Sequence, residues 1–371
     1  MKLGLHALAA LAMWSAAACG DAADPCAIRE PGAVCMVAGT GEHGYNNDGH
    51  SPETSDLYLV SQARRGPDSL LYLMDFNNHR LRVIDENGAM QTVAGNGFHG
   101  GAFPGALATD SALENPIDFD FLPDGRVVLL SYHDPRIVLV TSEGTLEVIA
   151  GTGELGEVGN EGDGSHPLLA RFIQPDGIAI GPDGAIYVSD SLANRIRVIR
   201  GNGIETFAGN GEAGYSGDGG DARDAALHWP SALDIAPDGA LYVTDSSNHA
   251  VRKISPDGII ETIAGTGTKG FAGDGGQASE AKLDFPNGID VADDGTVYIA
   301  DRNNFRVRRI DSEGRIETIA GSGEKGFAGD GGPALEADFG FIARITLDGD
   351  SLLIADQSNS CVRRLLLSEH F

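Results

Sequence analysis

The chain has 371 residues, with 54 acidic against 26 basic side chains, a net charge of −28, 52 glycines and only 6% aromatic residues. A field of that sign repels phosphate backbones and anionic lipid surfaces, so nucleic acid is excluded as a partner and a membrane is reachable only through an anchor. The length suffices for one large all-β domain, and abundant glycine suits many short strands joined by tight turns.

The first residues read as a targeting segment. In "MKLGLHALAALAMWSAAAC" a single early charge at Lys2 precedes an apolar run and then small residues, so residues 1–18 are expected to be a signal peptide, too short for a comfortable membrane span. The ending "SAAAC" resembles a bacterial lipobox, although Ala16 stands where Leu is commoner; it predicts lipidation of Cys19, with plain secretion as the alternative. Residues 19–32 then form a tether, and the protein is expected outside the cytoplasm, secreted or as an outer-envelope lipoprotein, where disulfides persist. Between Cys26 and Cys35 lies "AIREPGAV", whose Pro-Gly turn would set the two sulfurs opposite each other, leaving Cys361 without an assigned role.

The segment "AVCMVA", residues 33–38, reads as a lone strand, and a Gly-x-Gly-x-x-Gly motif follows it. One later copy, "AGTGTKGFAGDGG", follows a strand-like run and alone would suggest a dinucleotide loop. The motif recurs, however, from Gly39, Gly95, Gly151, Gly209, Gly265 and Gly321, at steps of 56, 56, 58, 56 and 56 residues, and no copy opens a long helix. That is a repeat architecture.

One unit, residues 286–321, divides at its turn signals into four short runs: "GIDVA", "TVYIAD", "RVRRI" and "RIETIA". Four antiparallel strands per unit make a propeller blade. The second run ends in Asp75, Asp190, Asp245, Asp301 or Asp356, with Asn78, Asn248, Asn304 and Asn359 three residues on; these suit a tight corner. Arg82, Arg197, Arg252, Arg308 and Arg363 follow on the third run, and Glu205, Glu261 and Glu317 on the fourth are expected to pair with them across the strands. Asp48, Asp218, Asp274 and Asp330 recur in the glycine-rich loops as turn and capping residues. The second unit departs from the pattern, with Ser131, Asp134 and Val138 at the Asp, Asn and Arg positions. The last unit lacks a fourth strand, which residues 33–38 would supply, closing the ring by pairing with 361–366. The expected fold is all-β: a six-bladed β-propeller over residues 33–371, monomeric.

The runs "YIADRNNFRVRRI", "YVSDSLANRIRVI" and "YVTDSSNHAVRKI" resemble the NHL repeat, and the linking "AGTGTKGFAGDGG" resembles the long-linker version of bacterial envelope proteins. The resemblance implies six four-stranded blades and says little about activity, because propellers host binding, scaffolding and several chemistries.

Chemistry is sought where the repeat varies. The start of each first strand should line the central channel, and there the units read Ser61/Gln62, Ile117/Asp118, Asp176/Gly177, Ser231/Ala232, Asn287/Gly288 and Ala343/Arg344. Asp176 and Asn287 resemble the ion-holding Asp and Asn of six-bladed gluconolactonase-like hydrolases, and Asp118 could add a third oxygen for calcium. That family also uses a Glu from the first blade, where this chain has Ser61 and Gln62, and Arg344 would repel a metal or pair with Asp118 or Asp176. Beyond that calcium ion no cofactor is expected. The histidines, among them His99, His133 and His228, fall in loops with no partner in view and form no Ser-His-Asp or Cys-His set; Trp229 stands near the channel rim, to stack on a ligand or to pack beneath a glycine-rich loop. The expectation is a non-catalytic envelope propeller binding a protein, peptide or glycan at one face or the channel mouth; the alternative is a metal-dependent, lactonase-like hydrolase in the channel.

Overall fold

The computed structural model describes residues 31–367; the signal peptide, Cys19 and Cys26 lie outside the described residues. Within them the chain forms six antiparallel sheets arranged as a six-bladed β-propeller. Blades 1 to 5 each hold four consecutive strands, as in blade 5: Pro286–Val291, Val297–Asp301, Arg306–Ile310 and Ile316–Ala320. Blade 6 takes Ile342–Asp348, Ser351–Asp356 and Cys361–Leu366 from the end of the chain and Ala33–Ala38 from its beginning. Cys35 faces Arg364 and Met36 faces Arg363 across that junction. No helix of the described residues is long and apolar enough to cross a membrane.

Burial explains the strand sequences. The second strand of blade 5 is buried along its whole length because a neighbouring blade covers each face, while the outer strand Ile316–Ala320 alternates more. Six apolar clusters result, one between each pair of adjacent blades; Leu73 and Met90 of blade 1, for example, pack against Leu353 and Val362 of blade 6.

The glycine-rich loops serve turns and edges. Gly265 sits at φ +90°, and a Cβ there would lie 2.3 Å from the His249 carbonyl oxygen, so only glycine fits this crossing. Further along the same loop, Gly275 N–H donates to Ile316 O at 2.7 Å and Ile316 N–H donates to Gly276 O at 3.0 Å. Equivalent bonds join the loop before blade 4 to Ile260, so each loop covers the open edge of the blade it precedes. In blade 6 this cover becomes a fifth, two-residue strand, Gly332–Pro333, on Ala33 and Val34.

The recurrent arginines correct one expectation. Arg197, Arg252 and Arg308 face Thr206, Thr262 and Thr318, not the expected glutamates, because a bulge shifts the register at each of these positions. Glu261 and Glu317 face Lys253 and Arg309 on the opposite side of the blade. Each fully buried arginine instead reaches the loop aspartate, as Arg252 does Asp218 at 2.6 Å, and Arg252 also meets Asp245 at 3.2 Å. The loop aspartates therefore do more than turn the chain: they clamp each loop to its blade. Blade 2 lacks the arginine, and there Asp134 pairs with Arg136 at 2.7 Å and accepts from the loop N–H of Ala102 at 3.3 Å.

Cys35 is disulfide-bonded and Cys361 is a buried free thiol, so the partner of Cys35 lies outside the described residues.

Candidate functional site at the channel mouth

The first strands of all six blades surround the axis, and their opening residues form a polar floor. Arg344 lies across it: Nη2 donates to Asp176 Oδ1 at 2.9 Å, Nη1 donates to the Asn287 carbonyl at 2.6 Å, and Nε stands 3.6 Å from Asp118 Oδ2. Ser231 Oγ sits between Asp176 Oδ2 at 2.6 Å and Asn287 Oδ1 at 3.0 Å. Asn287 Nδ2 donates to Ala343 O, and Gln62 Nε2 donates to Asp118 Oδ1 at 3.3 Å. Burial pushes the Asp118 carboxyl up, against the pull of Arg344 and Arg64. Asp118, Asp176 and Asn287 are thus gathered around the axis, and a guanidinium lies among them, with each oxygen set engaged by protein donors.

Above the floor opens a cavity of about 300 Å³. Phe76, Tyr132, Trp229 and Phe285 line it, with Arg302 among them. Trp229 and Phe285 precede their first strands in the left-handed region, at φ +57° and +54°. Asn194 Oδ1 accepts from Trp229 N–H, and His249 Nδ1 from Phe285 N–H, which holds both residues at the rim. Trp229 is half-buried there and lines the mouth. Phe76, Tyr132 and Arg302 occupy the position just after each second strand. The Arg302 guanidinium stands 4.5 Å from the Phe341 ring centroid, and its Nε is buried without a hydrogen-bond partner among the described residues. Burial lowers its proton affinity, only partly offset by Asp176. The sequence reading missed Phe76, Tyr132, Phe285 and Arg302. The signal was present: the residue after the recurrent corner position reads Phe, Tyr, Ser, Ser, Arg and Gln through the six blades, as variable as the channel ring.

At the other end of the channel lies a second unforeseen ring, Arg64, Asp120, Asp234, Asp290 and Thr346, bordering a cavity of about 540 Å³ that Arg64, Asp234, Asp290 and Thr346 line. Each aspartate accepts a backbone N–H from the next blade, as Asp120 does from Ile180 at 2.8 Å and Asp234 from Val291 at 2.7 Å. Arg64 binds Asp120 at 2.6 Å. Burial and the charge of Asp234 together raise Asp290 well above the ordinary carboxylate range. A further cavity, of about 700 Å³, lies away from the channel between blades 4 and 5, lined by residues such as Pro237, Lys253, Glu261, Asp294 and Gly314.

The model of the Teneurin NHL domain matches residues 209–255 and 256–326. The chain is similar to the chloroplastic protein Suppressor of quenching 1 of Arabidopsis thaliana, 32% identical over 293 residues, covering 75% of this chain and 27% of that protein. Human NHL repeat-containing protein 2 is 24% identical over 329 residues, covering 77% of this chain and 44% of that protein. Against Teneurin-m of Drosophila melanogaster the identity is 28% and the shares are 86% and 12%. The chain therefore spans less than half the length of these relatives. Among solved structures, an auxiliary nutrient binding protein from Bacteroides thetaiotaomicron superposes with a TM-score of 0.64 at 16% identity, over 89% of this chain and 75% of the other. A gluconolactonase from Xanthomonas campestris gives 0.53 at 15%, over 92% and 99%. At such identities these likenesses show the fold alone. The repeats are NHL repeats, closed into a six-bladed ring.

Proposed function

We propose that this NHL-repeat propeller is a binding module that takes a peptide or glycan carrying an acidic group at the channel mouth, with its rings on Trp229, Phe285 and Tyr132 and its acid on Arg302. The observation that carries this reading is Arg302: a guanidinium whose Nε is buried with no hydrogen-bond partner among the described residues, set over an aromatic ring beside a cavity of about 300 Å³. A planar cationic fork held in that way matches a carboxylate, and aromatic faces add affinity for sugars or side chains at little entropic cost. The floor supports binding over hydrolysis, because the place a channel metal would take holds the guanidinium of Arg344, paired with Asp176.

The chain has two tryptophans, Trp14 in the segment read as the signal peptide and Trp229 at the mouth. In processed protein, intrinsic fluorescence would thus report the mouth directly. Titration with acidic peptides and with uronic-acid oligosaccharides should give saturable quenching by at least one class, weakened tenfold or more by Arg302→Ala. Binding unchanged in that variant, or no response to either class, defeats the reading. We further propose presentation outside the cytoplasm through lipidated Cys19. Intact-mass spectrometry of protein made with its own leader should show the diacylglycerol, and a chain cleaved elsewhere would show plain secretion instead.

A further inference from the structure

We propose a second site, made of residues that do not line the channel: a first-row divalent cation, zinc by its donor set, held on the rim of blade 2 by His99, Glu114 and His133. His99 comes from the glycine-rich loop before the blade, Glu114 from the approach to its first strand, and His133 from the corner after its second strand. His99 Nε2 stands 2.6 Å from Glu114 Oε1, and His133 Nδ1 stands 3.6 Å from that same oxygen. One ligand atom from each residue lies within 4.8 Å of the other two. Zinc–nitrogen bonds of about 2.0–2.1 Å in a tetrahedron place neighbouring ligand atoms ~3.3 Å apart, so small side-chain rotations close this set on an ion.

The repeat makes the coincidence informative. The same three positions come together at every blade as part of the loop-and-corner scaffold, and in blade 6 they read Lys325, Gly340 and Ser358. In blade 5 they read Lys269, Asp284 and Asn303, and no other blade supplies more than one His, Cys, Asp or Glu there. Only blade 2, the blade that has also given up the buried arginine, carries two imidazoles and a carboxylate. An ion pair would need one histidine; a second imidazole on the same carboxylate is what a metal would use. Asn115, next to Glu114, lies beneath the set: its N–H donates to His79 Nδ1, and its Oδ1 is 3.2 Å from His133 Nδ1, a contact that nitrogen gives up when it loses its proton and binds the ion. His79 stands edge-on to His99 at 5.2 Å, closing the inner side. His99 and His133 are 64% and 57% exposed while Glu114 is 12% exposed, so the carboxylate is fixed and an outward coordination position stays open. Two nitrogens and one carboxylate suit zinc, nickel or copper, and they fall short of the six to eight oxygens calcium takes. Tyr132, a wall of the mouth, meets His133 edge-on at 4.9 Å between ring centroids, which places the ion beside the channel opening.

The test uses the untagged full chain, stripped with a chelator and titrated with zinc chloride against a fluorescent zinc indicator. Cobalt(II) titration gives a second, spectroscopic readout. Expected are one equivalent of zinc bound and cobalt absorption bands of a low-coordinate nitrogen–oxygen site. The double substitution His99→Ala with His133→Ala should weaken zinc at least tenfold and abolish the bands, with an unchanged melting curve in the absence of metal because both side chains are exposed. Glu114→Gln should give an intermediate loss. No stoichiometric zinc, or zinc held equally well by the double variant, overturns the site; a loss confined to Asp290→Asn instead would place any ion in the channel.

Discussion

At the scale of single residues, the fully buried arginines define how a blade holds its loop. Arg252 is enclosed with Asp245 at 3.2 Å and the loop aspartate Asp218 at 2.6 Å, and Asp245 also accepts from Asn248 and from His228 N–H. Removing one member of such a set strands a buried charge, whereas blade 2 shows both members gone at once, as Ser131 and Val138. Arg252→Val should therefore destabilise by about 3–5 kcal/mol in urea unfolding. Adding Asp245→Ser should recover part of that loss, and a double variant worse than the sum of its singles would contradict the argument. Asp75, Asp190, Asp245, Asp301 and Asp356 are each pushed up to about 6, chiefly by burial, against their hydrogen bonds and neighbouring arginines. A carboxyl with a folded value above its unfolded one takes up a proton on folding between about pH 4 and 6, so stability falls as pH rises through that window and levels above it. The melting temperature should accordingly rise when the pH is lowered from 7 to 5. A flat or falling profile over that range would show the arginines prevailing over burial.

At the scale of elements, the ring depends on a strand from the other end of the chain. Residues 33–38 bury Val34 and Ala38 and cover the strand Cys361–Leu366, which would otherwise offer a free edge beside the apolar seam with blade 1. A chain starting at residue 39 should lose about 10 °C or more in melting temperature, from the lost burial of several apolar side chains. A synthetic peptide of residues 31–40 should restore part of the loss, and a shortened chain that melts as the whole one does would disprove the role of the strand. This closure was legible in the sequence because counting strands per unit leaves one missing at one end and one spare at the other. The partners of the arginines were not legible. Alternation was read straight through Ile196 and Arg197, and the bulge there turns Arg197 away from Glu205. The mouth escaped for a related reason: Tyr132 and Arg302 lie in corner turns, distant in sequence from the first strands, and only the folded blade brings them over Asp176 and Asn287. The candidate channel residues were found because they vary where the rest of the unit does not.

At the scale of the whole molecule, six first strands bring a set of carboxylates to one axis, and two arginines hold them there. Arg344 serves the floor of the mouth, and Arg64 serves the far ring. Burial works against the charge on Arg64, yet Asp120, Asp234, Asp290 and Asp118 outweigh it and raise its hold on its proton. Asp234 and Asp290 are raised in turn, by burial first and, for Asp290, by its neighbour's charge next. Because Asp120, Asp234 and Asp290 each accept from the next blade's backbone, the ring can lose its cation without losing its stitches. Arg64→Met should then leave Asp234 and Asp290 without the cation that opposes their burial, and should raise both further. The destabilisation relative to the unmodified protein should thus grow as pH rises and shrink as pH falls and Asp234 and Asp290 take up protons. Arg64→Lys, which keeps the charge, should follow the unmodified profile more closely. Melting curves of the three proteins between pH 5 and 8 decide it: parallel profiles for Arg64→Met and the unmodified chain would mean that the far ring is held by its backbone bonds alone.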